Sequence, residues 1–360
     1  MDMNENCSVR DRILSHLRAY PKMEITDLFK LLHQGAMGCE HLAPAEAEAA
    51  ARIRREAEEM PAGGDATPVP ISEKYSRVPL ACLADGIGAD LLAALLCRSA
   101  KSEPDGRVRL LAGLEAARAL TAEGLLPFPS DELNARIAAW EAAGFPAVRH
   151  SEAYRTLYRP AYRVIANEYV RLLPLFSRIG KALASGRVIL ALEGGSASGK
   201  TTLSALLGEL YGATVLHADD FFLTPEMRTP ERLAEVGGNL DRERFLTEVL
   251  LPLSRGESLQ YRRFDCSTQR ILPAVTVAPG ALTVVEGAYT MHPLLAPYYT
   301  LSAFLDIDPA YQRARILVRN PGAYAERFFH EWIPMERRYF EGMRVRERCD
   351  LVIPVTPPVQ

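Results

Sequence analysis

The stretch A-L-E-G-G-S-A-S-G-K-T-T-L, residues 191–203, decides the fold. The apolar run R-V-I-L-A-L-E (187–193) leads into it and reads as a buried strand. T-T-L-S-A-L-L-G-E-L follows and reads as a helix. Between them, Gly194-x-x-x-x-Gly199-Lys200-Thr201 is the P-loop pattern, in the strand–loop–helix setting it requires. Glycine tolerates positive φ, so successive N–H groups can turn inward and form a nest for anionic oxygens. The helix N-terminus adds the positive end of its dipole. The expected phosphate-binding set is Gly194, Gly195, Ser196, Ala197, Ser198, Gly199, Lys200, Thr201 and Thr202. Lys200 would bring a point charge to the β- and γ-phosphates of ATP or GTP, and the Thr201 hydroxyl is a ligand for Mg²⁺. A Gly/Ser-rich loop that merely turns from strand to helix shares the composition, but has no need of the full spacing. The motif predicts nucleotide binding and leaves the use of the nucleotide open.

Four more apolar runs continue the pattern: A-T-V-L-H (213–217), A-L-T-V-V-E-G (281–287), L-S-A-F-L-D-I-D (301–308) and D-L-V-I-P (350–354). Helical patterns separate several of them. Continuous apolar strands alternating with helices predict an α/β domain with a parallel sheet of about five strands, over residues 185–360. Residues 1–180 predict a mostly α-helical domain. Leu91, Leu92, Leu95 and Leu96 recur at helical spacing, as do Leu110, Leu111 and Leu114, and Leu133, Ile137 and Trp140. A further helix is expected to carry Tyr158, Tyr162, Ile165, Tyr169, Leu172 and Phe176. The boundary is expected near Ala184-Ser185-Gly186. A chain of 360 residues suits two such domains.

A net charge of −3 makes the whole chain a poor electrostatic match for nucleic acid, so no nucleic-acid partner is expected. No apolar run approaches the ~20 residues that span a bilayer, so no membrane partner is expected. The start M-D-M-N-E-N-C has no signal-peptide character. Six scattered cysteines without C-x-x-C spacing read as reduced thiols, and a cytoplasmic location is expected. A homo-oligomer is compatible with the sequence.

H-A-D-D-F-F (217–222) sits just past the second strand, where an open α/β sheet binds ligands. A carboxylate there can accept the proton of an attacking hydroxyl, or help to hold Mg²⁺, or simply cap the next helix. The pair G-G-S-A-S-G-K-T-T and H-A-D-D-F-F resembles the uridine kinase, phosphoribulokinase and nicotinamide riboside kinase group of P-loop small-molecule kinases. That resemblance implies Asp219 as general base, with Asp220 at a variable position. G-G-N-L-D-R-E-R-F (237–245) resembles the segment whose Asp binds ribose hydroxyls, here Asp241; a helix cap is the alternative. R-R-F-D-C-S-T-Q (262–269) resembles the segment lining the nucleoside pocket, with Phe264 in place of a tyrosine and Gln269 in place of a base-reading histidine; a plain hairpin is the alternative. V-V-E-G (284–287) implies Glu286 near Mg²⁺ and the acceptor, and a buried Glu needs a cationic partner in any case. D-I-D-P-A-Y-Q-R-A-R-I-L-V-R-N (306–320) resembles a lid helix, implying Arg315 and Arg319, then Arg313, as arginines that close over the phosphates; a solvated helix face is the alternative. Arg338 is a more remote candidate.

The N-terminal half carries fewer signals. His33, Cys39 and His41 could hold zinc, although their spacing fits no usual pair and an ordinary core histidine fits as well. K-Y-S-R-V-P-L (74–80) and R-H-S-E-A-Y-R-T-L-Y-R-P-A-Y-R (149–163) mix Tyr with Arg and suit amphipathic helices with snorkelling arginines, or a binding surface.

The expected reaction is phosphoryl transfer from ATP or GTP, with Mg²⁺, to the hydroxyl of a small molecule. The 5′-hydroxyl of a pyrimidine nucleoside ranks first. Nicotinamide riboside, pantothenate or a sugar phosphate are alternatives, and so is an NTP-driven regulatory switch.

Overall fold

The computed structural model describes residues 8–39, 45–61, 63–100, 103–320 and 322–357. The chain divides into two compact units, with the break between Pro174 and Leu175.

The first unit is mostly helical. Its first helix, Val9–Ala19, begins with a reciprocal cap: Ser8 Oγ accepts from the Asp11 N–H, and the Asp11 carboxylate accepts from the Ser8 N–H. The helices Ile25–Met37, Ala89–Ser99 and Gly106–Ala122 bury Leu28, Leu32, Leu92, Leu95, Leu110 and Leu114. Two of the expected helices are strands instead. β1 (Val69–Pro70), β2 (Tyr75–Pro79) and β3 (Tyr162–Ala166) form an antiparallel sheet in that order. The tyrosine–arginine stretch at 74–80 is thus the central strand, and its Arg77 is buried. The run from Tyr158 to Phe176 is not one helix. A helix Glu152–Tyr158 ends at Arg159, in the left-handed region at φ 42°. Pro160 disfavours the helical conformation for its predecessor. Tyr-Arg-Val-Ile-Ala then extends as β3, as aromatic and β-branched residues favour. Helix resumes in the short segment Asn167–Val170 and then in Leu173–Leu183.

The second unit holds β4 (Val188–Gly194), β5 (Thr214–His217), β6 (Leu259–Asp265), β7 (Arg270–Val277), β8 (Leu282–Glu286), β9 (Leu301–Ile307) and β10 (Leu351–Val355). Five strands form a parallel sheet in the order β10-β9-β4-β8-β5. This is the α/β P-loop fold that the apolar runs predict. β4 and β8 are buried along their whole length, as continuous apolar strands must be. β6 and β7 form a separate hairpin with a bulge between Arg262 and Phe264. Phe221, Phe245, Tyr289 and Tyr339 join Ala191, Leu216 and Val285 in the core.

Gly194 closes β4 opposite Leu305 at φ 147°. A Cβ there would sit 2.8 Å from the Leu305 carbonyl oxygen, so only glycine fits. The following helix, Lys200–Tyr211, starts from Gly199 at φ 99° and stops at Gly212 at φ 62°. Among the described residues, no helix is long and apolar enough to cross a membrane.

Candidate active site

Parallel pairing brings the carboxyl ends of β4, β5 and β8 to one edge. Glu286 pairs with Leu192 of β4 on one side and His217 of β5 on the other. The P-loop leaves β4 two residues after Leu192, and Asp219 follows His217 by two. The sheet order reverses on either side of β4, which is where such folds open a crevice.

Within the loop, Ala197 takes the left-handed conformation at φ 59°, beside the glycines at 194 and 199. Lys200 Nζ donates to the carbonyls of Gly194 at 2.9 Å and Gly195 at 3.0 Å. Ser198 is buried, and its hydroxyl has no hydrogen-bond partner. Gly195 is packed so closely that a Cβ would meet Gln312 Nε2 at 2.9 Å. Thr201 and Thr202 are exposed in the first helical turn.

Glu286 is the hub of the edge. Thr201 Oγ1 donates to its Oε1 at 3.1 Å, and His217 Nδ1 lies 2.6 Å from the same oxygen. Burial raises the Glu286 carboxyl, but the His217 hydrogen bond and the Lys200 charge outweigh it and hold the group below its ordinary range. The same hydrogen bond raises His217.

Asp219 stands in the short turn Ala218–Phe221 and is open to solvent. Enough protein surrounds its carboxyl for burial to push it up to about 6, against the lowering effect of Lys200. Glu286 and Glu336 add to the rise. Asp219 therefore feels the charges of Lys200, Glu286 and Glu336. Burial also raises the Asp220 carboxyl, against the lowering charges of His217, Arg263 and Arg244.

The remaining sequence candidates fall in different places. Asp241 caps the helix Arg242–Phe245: its Oδ1 accepts from the Arg244 N–H at 3.1 Å and its Oδ2 from Arg244 Nε at 3.0 Å. Arg244 in turn lies over Phe221 and donates to the Asp220 carbonyl. Asp241 thus braces the Asp219 turn through Arg244, with both oxygens turned to that arginine. Phe264 is buried on β6, with Arg228 stacked 5.7 Å above its ring. Gln269 is exposed in the β6–β7 turn at φ 56°, its amide donating to the Cys266 carbonyl. Burial raises the thiol of Cys266, in the same turn, and the Asp219 charge adds to the rise.

The helix Pro309–Arg319 carries the expected arginines. Arg315 Nη1 lies 3.6 Å from the point a Gly199 Cβ would occupy, against the P-loop. Arg319 is exposed, and Arg313 packs on Phe329. Arg338 is engaged by the carbonyls of Leu233 and Glu235.

Three residues that sequence reasoning missed secure the loop. Glu336, 7% exposed, accepts from Ser196. Gln312 Nε2 donates to the Ser196 carbonyl at 2.8 Å. Glu193, fully buried in β4, accepts from the Gly194 N–H, Thr290, Met291 and Tyr339, and burial pushes it up to about 7. Its signal was a charged residue inside a buried strand; that of Glu336 was a carboxylate three residues from buried Ile333 and Tyr339 on one helix face.

Among the described residues, no group of His, Cys, Asp and Glu has the makings of a metal cage. Cys39 is a buried thiol beside the carbonyls of Leu96 and Val164, His33 packs against Trp140, and His41 lies outside the described residues.

No protein-family model matches the chain. Among solved structures, a possible uridine kinase from Bacillus stearothermophilus is 21% identical over 50% of this chain and 99% of its own, with a TM-score of 0.38. A candidate fructose transport system kinase from Silicibacter sp. TM1040 is 24% identical over 46% of this chain and 89% of its own, with a TM-score of 0.36. Shikimate kinase from Acinetobacter baumannii, solved with shikimate, is 17% identical over 48% of this chain and 85% of its own, with a TM-score of 0.28.

Proposed function

We propose that this chain transfers a phosphoryl group from ATP or GTP to the hydroxyl of a small metabolite. The observation that carries the reading is the common edge of Lys200, Thr201, Glu286 and Asp219. A site that only binds nucleotide needs the first two. A carboxylate facing the same lysine, open to solvent and raised towards neutrality, suits a base for an incoming alcohol.

The division of labour follows from the chemistry of each group. The N–H groups of the P-loop receive phosphate oxygens, and the partnerless Ser198 hydroxyl supports an acceptor ligand in that cradle. Lys200, which rests on two carbonyls of the loop, has its charge within the cradle for the β- and γ-phosphates. Thr201 and Glu286 are the oxygen donors that would hold Mg²⁺; hard oxygens 3.1 Å apart suit it. When bound, that ion supplies compensating charge to the phosphates. Asp219 takes the alcohol proton. Arg315 faces the charge that spreads over the transferring group, with Arg319 further along the same helix.

For the acceptor, a pyrimidine nucleoside remains the first choice from the resemblance. Phe264 offers a ring on β6, with Arg228 over it. Asp241 and Gln269 are weaker elements of that choice, because their polar groups are engaged locally. Nicotinamide riboside, pantothenate and sugar phosphates are the other acceptors to try.

The test is a panel of alcohols with γ-labelled ATP and GTP. Label appearing in an acceptor, with ADP or GDP formed in step, supports the reading. Nucleotide hydrolysis indifferent to every alcohol but stimulated by a protein would replace it with a regulatory NTPase.

A further inference from the structure

The first unit contains a cavity of about 590 Å³ that the phosphoryl-transfer reading does not use. That volume lies in the range of small-molecule sites. Its wall has a marked charge imbalance. Lys30, Arg52, Arg149, Arg155, Arg159 and Arg163 line it, against Glu56 and Glu59. Arg163 pairs with Glu56 at 2.9 Å. None of the other five cations makes an ion pair with a described carboxylate.

Arginines on a surface are usually solvated and need no ligand. Two observations set these apart. Arg163 Nη2 is buried in the wall with no hydrogen-bond partner. Such an orphan donor is costly unless something accepts from it. Lys30 is only partly exposed; its ammonium donates to the Val148 carbonyl at 3.1 Å, and burial, with Arg77 and Arg149 nearby, pulls it down to about 8. Arg163 thus has one donor left over beyond its pair with Glu56, and Lys30 feels the Asp27 charge but donates to a carbonyl.

The local fold explains the concentration. Arg155 stands in the last turn of the helix Glu152–Tyr158 and Arg159 is its C-cap, and both reach the cavity wall. The left-handed turn at Arg159, followed by Pro160, then brings Arg163 back on β3. The floor is rigid. Asp27 is fully buried and accepts from Ser151 and from His150 Nδ1 at 2.8 Å. His150 Nε2 lies 2.7 Å from the Tyr162 hydroxyl. Arg77 lies 4.7 Å above the Tyr162 ring and donates to Gln34, which also faces the cavity. Burial keeps His150 and Tyr162 neutral at ordinary pH. The floor thus offers fixed polar groups without adding a carboxylate to the lining.

We propose that this cavity binds a small metabolite through a phosphate group. Its oxygens are taken by Lys30, Arg163 and the arginines at 149, 155 and 159, and its uncharged part lies on Ala49, Met60 and Leu96. The surplus of cations matches a group with two or more negative charges better than a single carboxylate, and guanidinium forks pair with phosphate oxygens two at a time.

The test uses the full chain carrying Lys200→Ala, so that the P-loop does not compete for the probe, and follows pyrophosphate binding by calorimetry. Saturable binding is expected, weakened at least tenfold by Arg155→Gln with Arg159→Gln. A melting temperature within a degree of the parent shows that the pair of changes leaves the fold intact. Should that double variant fail to fold, Arg52→Gln with Arg149→Gln, both exposed, is held to the same tenfold criterion. The proposal is overturned if pyrophosphate does not bind the Lys200→Ala chain, or if a folded double variant binds it as tightly as the parent. Citrate bound as tightly as pyrophosphate overturns the assignment to phosphate.

Discussion

Ser196 donates twice to Glu336, from its main-chain N–H to Oε2 at 2.9 Å and from its hydroxyl to Oε1 at 2.6 Å. Its carbonyl accepts from Gln312. Two helices distant in sequence therefore hold one residue of the P-loop. Glu336→Gln would set an NH₂ group against one of the two Ser196 donors. Urea unfolding of the full chain is expected to show a loss of about 1–3 kcal/mol, the cost of one buried donor left unpaired. KM for the nucleotide should rise several-fold with it. Unchanged stability and KM would mean that the loop does not depend on this contact.

Asp219 sets a pH dependence of defined sign. Its carboxyl titrates at about 6, above its ordinary value, and only the ionised form can take a proton. kcat/KM should therefore climb tenfold per pH unit below about 6 and flatten above it. Asp219→Asn should remove this limb and lower kcat by about 10²–10⁴-fold, with nucleotide affinity within about threefold of the parent. Comparable turnover in that variant would move the base elsewhere.

Glu286 joins two roles that one substitution can separate. Glu286→Gln removes a charged oxygen donor beside Thr201 and should raise the Mg²⁺ concentration for half-maximal activity by about tenfold. It also deprives His217 of the partner that raises it. The His217 midpoint, followed by NMR, should fall towards the ordinary histidine value. In the parent, that pairing stabilises the fold below the unfolded pKa of histidine, and the contribution fades as pH rises through the folded one. A variant with the Mg²⁺ shift but no histidine shift would disprove the hydrogen bond, not the metal role.

Arg315 and Arg319 share a helix but not a position. The first lies against Gly199 and the second is exposed. Arg315→Gln should lower kcat by about 100-fold, the scale of losing one charged donor in a transition state. Arg319→Gln should cost less than about threefold. Equal losses would show that the helix moves as a lid and brings both inward.

The parallel sheet and the P-loop were legible because they rest on local signals: unbroken apolar strands, and glycines at set spacing before a helix. The position of Asp219, in the turn after β5, was legible from the end of that apolar run. Glu336 and Gln312 were not, because they act across 140 and 116 residues, and a lone polar residue on a helix face looks the same whether it meets water or Ser196. β3 was misread because Tyr158, Tyr162, Ile165 and Tyr169 fit helical spacing; Pro160 was the discordant signal. Asp241 shows the converse. Its segment resembles a substrate-binding one, yet the adjacent Arg244 claims both oxygens, a contact that only the folded geometry reveals.

Gly194 has the backbone of Leu305 pressed against the space where a side chain would begin. The first residue of the P-loop is therefore dictated by how two strands lie together, before any ligand arrives. A selection that asks only for soluble expression, and never for turnover, should purge every replacement at 194 while accepting many at exposed Thr202. Intolerance at a glycine of this loop is on that account a record of sheet packing as much as of chemistry.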